Sequence, residues 1–269
     1  MTEPAGPKKI LITGAHGLIG NLVYTHLASQ PDQYDPYGMV RRSVPSIRAQ
    51  SADFHPISAD RLRIADLTDL AAVQRAVAGM DMVVHLAADP SGREWDSVLN
   101  NNIIGAYHVF EAARAAGVQR IVFASTNQVV FGYRSDEPYQ SLFRGDFSSI
   151  SLPDYRPIDH TQPVRPLSYY SCSKVFGEAL AHMYASVYNL SVICLRIGWV
   201  LSDDSMRSRI LYCSQRDIVQ LVRCCIDAPL SLRYDIFFGQ SDNQYNLVDI
   251  QHAKDVLGYA PQDRAEDHI

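Results

Sequence analysis

The sequence predicts an α/β fold, a doubly wound parallel sheet followed by a small C-terminal cap. Two observations carry this reading. Short apolar, β-branched runs alternate with helix-length segments over most of the chain, and the first run stops at a glycine-rich turn that opens a helix. A third bounds it: 269 residues, 47% of them hydrophobic and 20% charged, suffice for one sizeable core and exclude disorder as a description of the whole chain.

Lys8–Thr13 (KKILIT) is the first strand, and Gly17–Ser29 continues it with helical spacing of apolar residues. Tyr37–Val40 and Leu62–Ala65 read as the next two strands, with a helix over Leu70–Ala78 closed by Gly79. Met82–Leu86 is a buried strand, followed by a helix over about residues 97–116 that ends at Gly117. Ile121–Ala124 repeats the strand signal. The stretch Gly132–Pro166, rich in Pro, Ser, Tyr and Asp, is too long for an ordinary connection and is expected to line a site. A helix near Ser168–Tyr188, a strand at Ser191–Ile197, a helix at Gln215–Asp227, a strand at Tyr234–Phe238 and a helix at Val248–Leu257 complete the pattern. Residues 1–198 thus read as the sheet-bearing unit, and 199–269 as a cap, partly interleaved with the core, that covers the strand ends where open α/β sheets bind ligands.

A net charge of −5 offers no field for phosphate polymers or anionic membranes, so neither nucleic acid nor a membrane is an expected partner. Five cysteines (Cys172, Cys194, Cys213, Cys224 and Cys225) form no C-x-x-C pair and have no His at ligand spacing. Reduced thiols in the cytoplasm and no metal site are expected. The apolar stretch Ile10–Ile12 is too short for a signal or membrane segment, so no targeting segment is expected.

Chemistry enters at Gly14-Ala-His-Gly17-Leu18-Ile19-Gly20, which directly follows the first strand. Glycines there permit a sharp turn and let backbone N–H groups approach a pyrophosphate at the positive end of a helix. A Rossmann-type dinucleotide site follows, although the spacing is G-x-x-G-x-x-G. The second strand ends Met39-Val40-Arg41-Arg42 with no acid to accept from ribose hydroxyls. Two guanidinium groups there suit a 2′-phosphate, so NADP is expected over NAD. Asp66, after the third strand, is placed to accept from the adenine amino group or to cap a helix.

Tyr170 lies four residues before Lys174 in a predicted helix, so both face the same way. A nearby ammonium favours phenolate, which proton abstraction from an alcohol near neutral pH requires. Ala124-Ser125-Thr126-Asn127 leaves the fifth strand at its carboxyl end. A hydroxyl there, Thr126 before Ser125, can hold a substrate oxygen.

With these pieces in hand, the chain resembles the extended short-chain dehydrogenases/reductases, the group that includes nucleotide-sugar epimerases and dehydratases. The matching segments are TGAHGLIG (13–20), ADL (65–67), HLAA (85–88), NIIGAYHVFEAAR (102–114), VFASTNQ (122–128), YYSCSK (169–174) and LRIG (195–198). The resemblance implies that Gly14, Gly17, Leu18, Ile19 and Gly20 cradle pyrophosphate and that Asp66 and Leu67 flank adenine. It also puts Leu86, Ala87, Ala88 and Ile197 near the cofactor, with Asn102 bracing the active-site helix. Tyr170 becomes the base and Lys174 its partner, also holding the nicotinamide ribose; the hydroxyl position falls on Thr126. Val129-Val130-Phe131-Gly132 is one residue longer than the family's usual V-Y-G ending, which leaves Ser125 open. Helix-paired homodimers are implied as well.

Within that group the chain is similar to uronate dehydrogenases and related sugar 1-dehydrogenases, because the short segment after LRIG leaves little surface for a nucleotide diphosphate. Two departures stand out: Trp199 replaces a small hydroxyl residue, and the basic strand end replaces an NAD-selecting acid. Candidates for holding a sugar or its acid group are Ser91, Asn127, Trp199, and Arg207 or Arg209; Arg207 matches the family's carboxylate-binding arginine by its seven-residue spacing to Ser214. The expected activity is oxidation of a sugar or sugar-acid hemiacetal at C1 to a lactone by hydride transfer to nicotinamide. Its rivals are a nucleotide-sugar epimerase or dehydratase with transient hydride transfer, and a cofactor-sensing protein without turnover.

Overall fold

A computed structural model describes residues 6–46, 49 and 54–268. Seven strands form one parallel sheet: β1 (Lys8–Thr13), β2 (Tyr34–Val40), β3 (Leu62–Ile64), β4 (Met82–His85), β5 (Arg120–Thr126), β6 (Ser191–Ile197) and β7 (Tyr234–Gly239). Their order is β3-β2-β1-β4-β5-β6-β7. Leu11 of β1 sits between Tyr37 of β2 and Val83 of β4, so the strand order reverses at β1 and opens a crevice at the carboxyl ends of β1 and β4.

Alternate residues of each strand feed opposite faces, which is why the strands read as continuous apolar runs. Ile10 and Ile12 pack with α1 (Leu18–Ala28), and Leu11 packs on the other face with α2 (Leu70–Val77). The first face also receives α7 (Gln215–Asp227) and α8 (Gln251–Leu257). The second receives α4 (Gly105–Ala115) and α6 (Tyr169–Tyr188). Helix starts are chemically marked. Asp69 accepts from the Ala72 N–H ahead of α2, Ser168 and Ser171 form a reciprocal cap at α6, and Ser214 accepts from the Asp217 N–H at α7.

The helix expected over 97–116 is more elaborate. A short α3 (Trp95–Val98) runs into a π-helical turn, Leu99–Ile104, before α4. The extra residue of such a turn re-aims the side chains that follow it, and Asn102 is the buried residue within it. The stretch 132–166, expected to line a site, instead contributes α5 (Tyr139–Arg144) and short 3₁₀ turns. It packs against 210–211 and 247–250 in a third apolar cluster around Val129, Ile158, Leu211 and Val248. Residues after 198 therefore do two things: β7 extends the sheet and α7 covers one of its faces, while 199–214 and 240–250 lie over its end.

Candidate active site

An open cleft of about 1120 Å³ occupies the crevice at the strand ends. One wall is the turn from β1 to α1, with Gly14, Gly17, Leu18, Ile19 and Gly20. Gly14 has φ +72°, and a Cβ on Gly20 would lie 2.2 Å from the Gly14 carbonyl oxygen. Only glycines permit this turn. Gly17 starts α1, no side chain caps it, and no acid stands in its first turn. The positive end of the helix is thus presented to the cleft, which is what a bound diphosphate requires. The residues present fit a dinucleotide.

Further along, Arg41 and Arg42 follow β2, and Asp66 and Leu67 follow β3, all lining the cleft. Asp66 accepts from the N–H and hydroxyl of Thr68 at 2.9 and 2.8 Å, and these bonds hold its carboxyl below the usual range. Leu86, Ala87 and Ala88 line the opposite side. Their loop is anchored by Thr13, whose Oγ1 accepts from the Ala87 N–H at 3.1 Å and lies 2.8 Å from His85 Nδ1. Burial, with the Lys174 charge, pushes His85 down to about 3, so the ring is neutral and shares one proton with Thr13 Oγ1 in a direction set by its tautomer.

Tyr170, Lys174, Ser125, Thr126 and Ile197 meet at the inner end of the cleft. Lys174 Nζ lies 5.6 Å from the centre of the Tyr170 ring and donates to the Ala124 carbonyl at 2.7 Å. The lysine is 3% exposed. Burial lowers its pKa from 10.5 to about 8, against an opposing pull from Glu178 one helical turn on. The two candidate hydroxyls are placed differently. Ser125 Oγ donates to Glu178 Oε1 at 2.6 Å, and Glu178 is gripped by Arg196 through two 2.9 Å bonds. Thr126 Oγ1 accepts from the Gln128 N–H at 3.3 Å, which leaves its own O–H for another acceptor.

Trp199 and Arg207 also line the cleft, from the segment after β6. Four expected site residues do not. Asn102, expected at the cofactor site as a brace for the active-site helix, accepts from the Asp89 N–H at 2.7 Å and donates to the Asp89 carbonyl and Ser173 Oγ. It ties the 86–91 loop to α6 from beneath, because the π turn buries it. Ser91 is turned onto Asp89 Oδ1 by its own N–H and hydroxyl. Asn127 is 1% exposed and its amide has no hydrogen-bond partner among the described residues. Arg209 lies against the touching Phe147 and Tyr245 rings, beside Glu266 and away from the cleft. Conversely, Asp89, Ser97, Asn101 and Gln128 line the cleft without having been expected there. Asp89 follows HLAA directly, and Glu178 continues the four-residue step from Tyr170 and Lys174, so both had a signal in the spacing.

The sequence profile of the NAD dependent epimerase/dehydratase family matches residues 10–213. The chain belongs to this family. Among its relatives, the NAD-dependent glucose-6-phosphate dehydrogenase of Haloferax volcanii is 33% identical over 95% of this chain and 94% of that protein. L-arabinose 1-dehydrogenase (NAD(P)(+)) from the same organism is 34% identical over 96% and 97%. Uronate dehydrogenase of Pseudomonas putida is 32% identical over 96% and 85%. In solved structures the fold matches uronate dehydrogenase from Agrobacterium tumefaciens with a TM-score of 0.76 and 29% identity, covering 97% of this chain and 86% of that one. A mutant of that enzyme complexed with NAD gives the same TM-score of 0.76 at 28% identity, with the same coverage. The seven-stranded sheet and the cleft at its switch point are thus the family's scaffold.

Proposed function

We propose that the chain is an NAD(P)-dependent dehydrogenase that oxidises the anomeric hydroxyl of a sugar or sugar acid to a lactone. The observation that carries the reading is the convergence of Tyr170, Lys174 and Thr126 on one cleft with the glycine cradle of β1 and α1. When bound, the nicotinamide ring supplies the hydride acceptor. The chain's own residues do the rest. Thr126 donates its hydroxyl proton to the substrate oxygen, and Tyr170 takes the proton that oxygen releases. The Lys174 ammonium, close to the phenol ring, favours the phenolate that accepts this proton. Its bond to the Ala124 carbonyl fixes the amine and leaves further N–H groups for the cofactor ribose.

Thr126 is the better choice over Ser125 because the Ser125 proton is committed to Glu178. The half-exposed Trp199 indole offers an apolar face to a sugar ring, and Arg207, held among the described residues only by a 3.4 Å surface contact to Asp203, is available to an anionic substituent. Arg41 and Arg42 favour NADP over NAD by the charge of a 2′-phosphate. The reading assigns the cofactor to residues 1–198 and substrate choice to the cap within 199–269. It also includes a homodimer through α4 and α6, whose Tyr107, Phe176, Met183 and Val187 are exposed apolar side chains. Five free cysteines suit a reducing compartment such as the cytoplasm, and no helix among the described residues is long and apolar enough to cross a membrane.

The test is a panel of aldoses, uronates and sugar phosphates with NAD and NADP, followed by the absorbance of reduced nicotinamide. Net reduction that Tyr170→Phe abolishes while cofactor binding persists supports the reading. Turnover without net reduction, or a Tyr170→Phe protein of unchanged rate, overturns it.

A further inference from the structure

Three side chains from distant parts of the chain converge outside the cleft. His160 comes from the connection between β5 and α6, Asp235 from the start of the edge strand β7, and His252 from α8. One ligand atom from each lies within 4.8 Å of the others, and all three residues are half-buried. His252 Nε2 stands 3.0 Å from both Asp235 carboxylate oxygens. Its ring is held between Phe237, at 4.8 Å and 16°, and His160, at 3.9 Å and 9°. No residue of this cluster takes part in the proposed chemistry, and Asp235 lies toward the end of the sheet opposite the cleft.

We propose that His160, Asp235 and His252 bind one zinc-like divalent cation that clips these three segments together. The ligand chemistry selects the class. Two imidazoles with one carboxylate suit a borderline ion such as Zn²⁺, whereas Mg²⁺ and Ca²⁺ call for sets made of oxygen. Zinc bonds of about 2.0–2.2 Å place tetrahedral ligand atoms roughly 3.4 Å apart. The Asp235–His252 pair, at 3.0 Å, is already near this spacing, and the widest separation, within 4.8 Å, closes by at most about 1.4 Å. Imidazole lone pairs lie in the ring plane, so the stacked rings must also open. His160, carried by a loop, can turn about its Cβ–Cγ bond, while Asp235 and His252 are fixed by a strand and a helix. Water completes the fourth position. The segments involved are already stitched by the Ile158 N–H to Leu247 carbonyl and Asp249 N–H to Ile158 carbonyl bonds, at 3.0 and 2.9 Å. An ion here therefore acts on stability and not on turnover. Sequence spacing could not show this site, since no two of the three residues lie within a ligand motif.

The test uses the full chain, freed of metal by chelator, titrated with ZnCl₂ in a calorimeter and with Co²⁺ in the visible spectrum. The expected results are one equivalent bound, the intense bands of four-coordinate Co²⁺, and a rise in Tm with added zinc. His160→Ala, which removes only the loop ligand, should keep the metal-free Tm yet weaken zinc by roughly tenfold or more and lose the Tm rise. His252→Ala should lose the Co²⁺ spectrum. Absence of stoichiometric binding, a six-coordinate Co²⁺ spectrum, or zinc affinity unchanged in His160→Ala overturns the proposal.

Discussion

Lys174 is stored in the fold at a cost, and replacing it with Met measures that cost. The ammonium is fully enclosed, and burial lowers its pKa from 10.5 to about 8 even though Glu178 opposes the fall. That difference corresponds to roughly 3 kcal/mol of destabilisation when the folded lysine is protonated. The sign follows from proton counting. Between pH 8 and 10.5 the unfolded chain holds a proton that the folded chain has released, so stability rises with pH across that window. Below pH 8 the full cost is present.

In Lys174→Met the charge is gone and the volume is kept, while the Ala124 carbonyl loses its 2.7 Å donor at about 1–3 kcal/mol. The two terms nearly offset at pH 7, so the absolute difference between the proteins is small. The informative quantity is how that difference changes with pH. Urea unfolding of cofactor-free protein at pH 7 and pH 9.5 should show the wild type gaining about 2 kcal/mol relative to the variant. Turnover should fall by roughly 10²-fold or more, because Tyr170 loses its neighbouring cation. A difference between the two proteins that stays constant within about 0.5 kcal/mol from pH 7 to 9.5 would refute the placement of a desolvated ammonium here.

Four further outcomes follow from the same geometry. Ser125→Ala removes the donor to Glu178 and should cost about 1–3 kcal/mol in urea while kcat stays within a few-fold, whereas Thr126→Ala should leave stability nearly unchanged and lower kcat by about 10²-fold. Glu178→Gln breaks the buried pair with Arg196 and should lose roughly 3–5 kcal/mol, read as a lower urea midpoint. Gly20→Ala puts a methyl group 2.2 Å from a backbone oxygen that cannot swing aside, so nucleotide titration should show binding lost or the chain unfolded. Replacing Arg41 and Arg42 together by Ala should weaken NADP by about tenfold or more and leave NAD within roughly threefold, as titration of both nucleotides would show.

The sheet was legible because each strand is buried on both faces and so carries its signal in a contiguous run. Val192, Ile193, Cys194 and Leu195 of β6 are all 0% exposed, and no period-2 pattern is needed to find them. The glycine turn and the Tyr170–Lys174 pair were legible for a related reason, since their geometry is local to one turn or one helix face. Strand ends slipped by up to three residues. Tyr34–Val40 begins earlier than the apolar run at Tyr37, because Asp35 and Pro36 interrupt it without breaking the ladder to Lys9 and Ile10.

What stayed hidden is the set of contacts that sheet order creates. Ser125 and Arg196 are register partners one residue before the ends of the neighbouring strands β5 and β6, so Glu178 on α6 meets both although 53 residues separate it from Ser125. Nothing in the string A-S-T-N-Q distinguishes a hydroxyl that faces substrate from one that satisfies a buried carboxylate. The choice is made by the pleat, which sends consecutive side chains to opposite faces. Ser125 goes to the side of α6, and Thr126, one residue on, opens to the cleft. The same argument explains why 132–166 was misread as a site wall. Its length and polarity signal a loop, but Val129, Ile158 and Leu247 belong to one apolar cluster that only the returning segment 240–250 completes. A stretch with half of its core supplied from a hundred residues away reads as unpartnered until the chain closes over it.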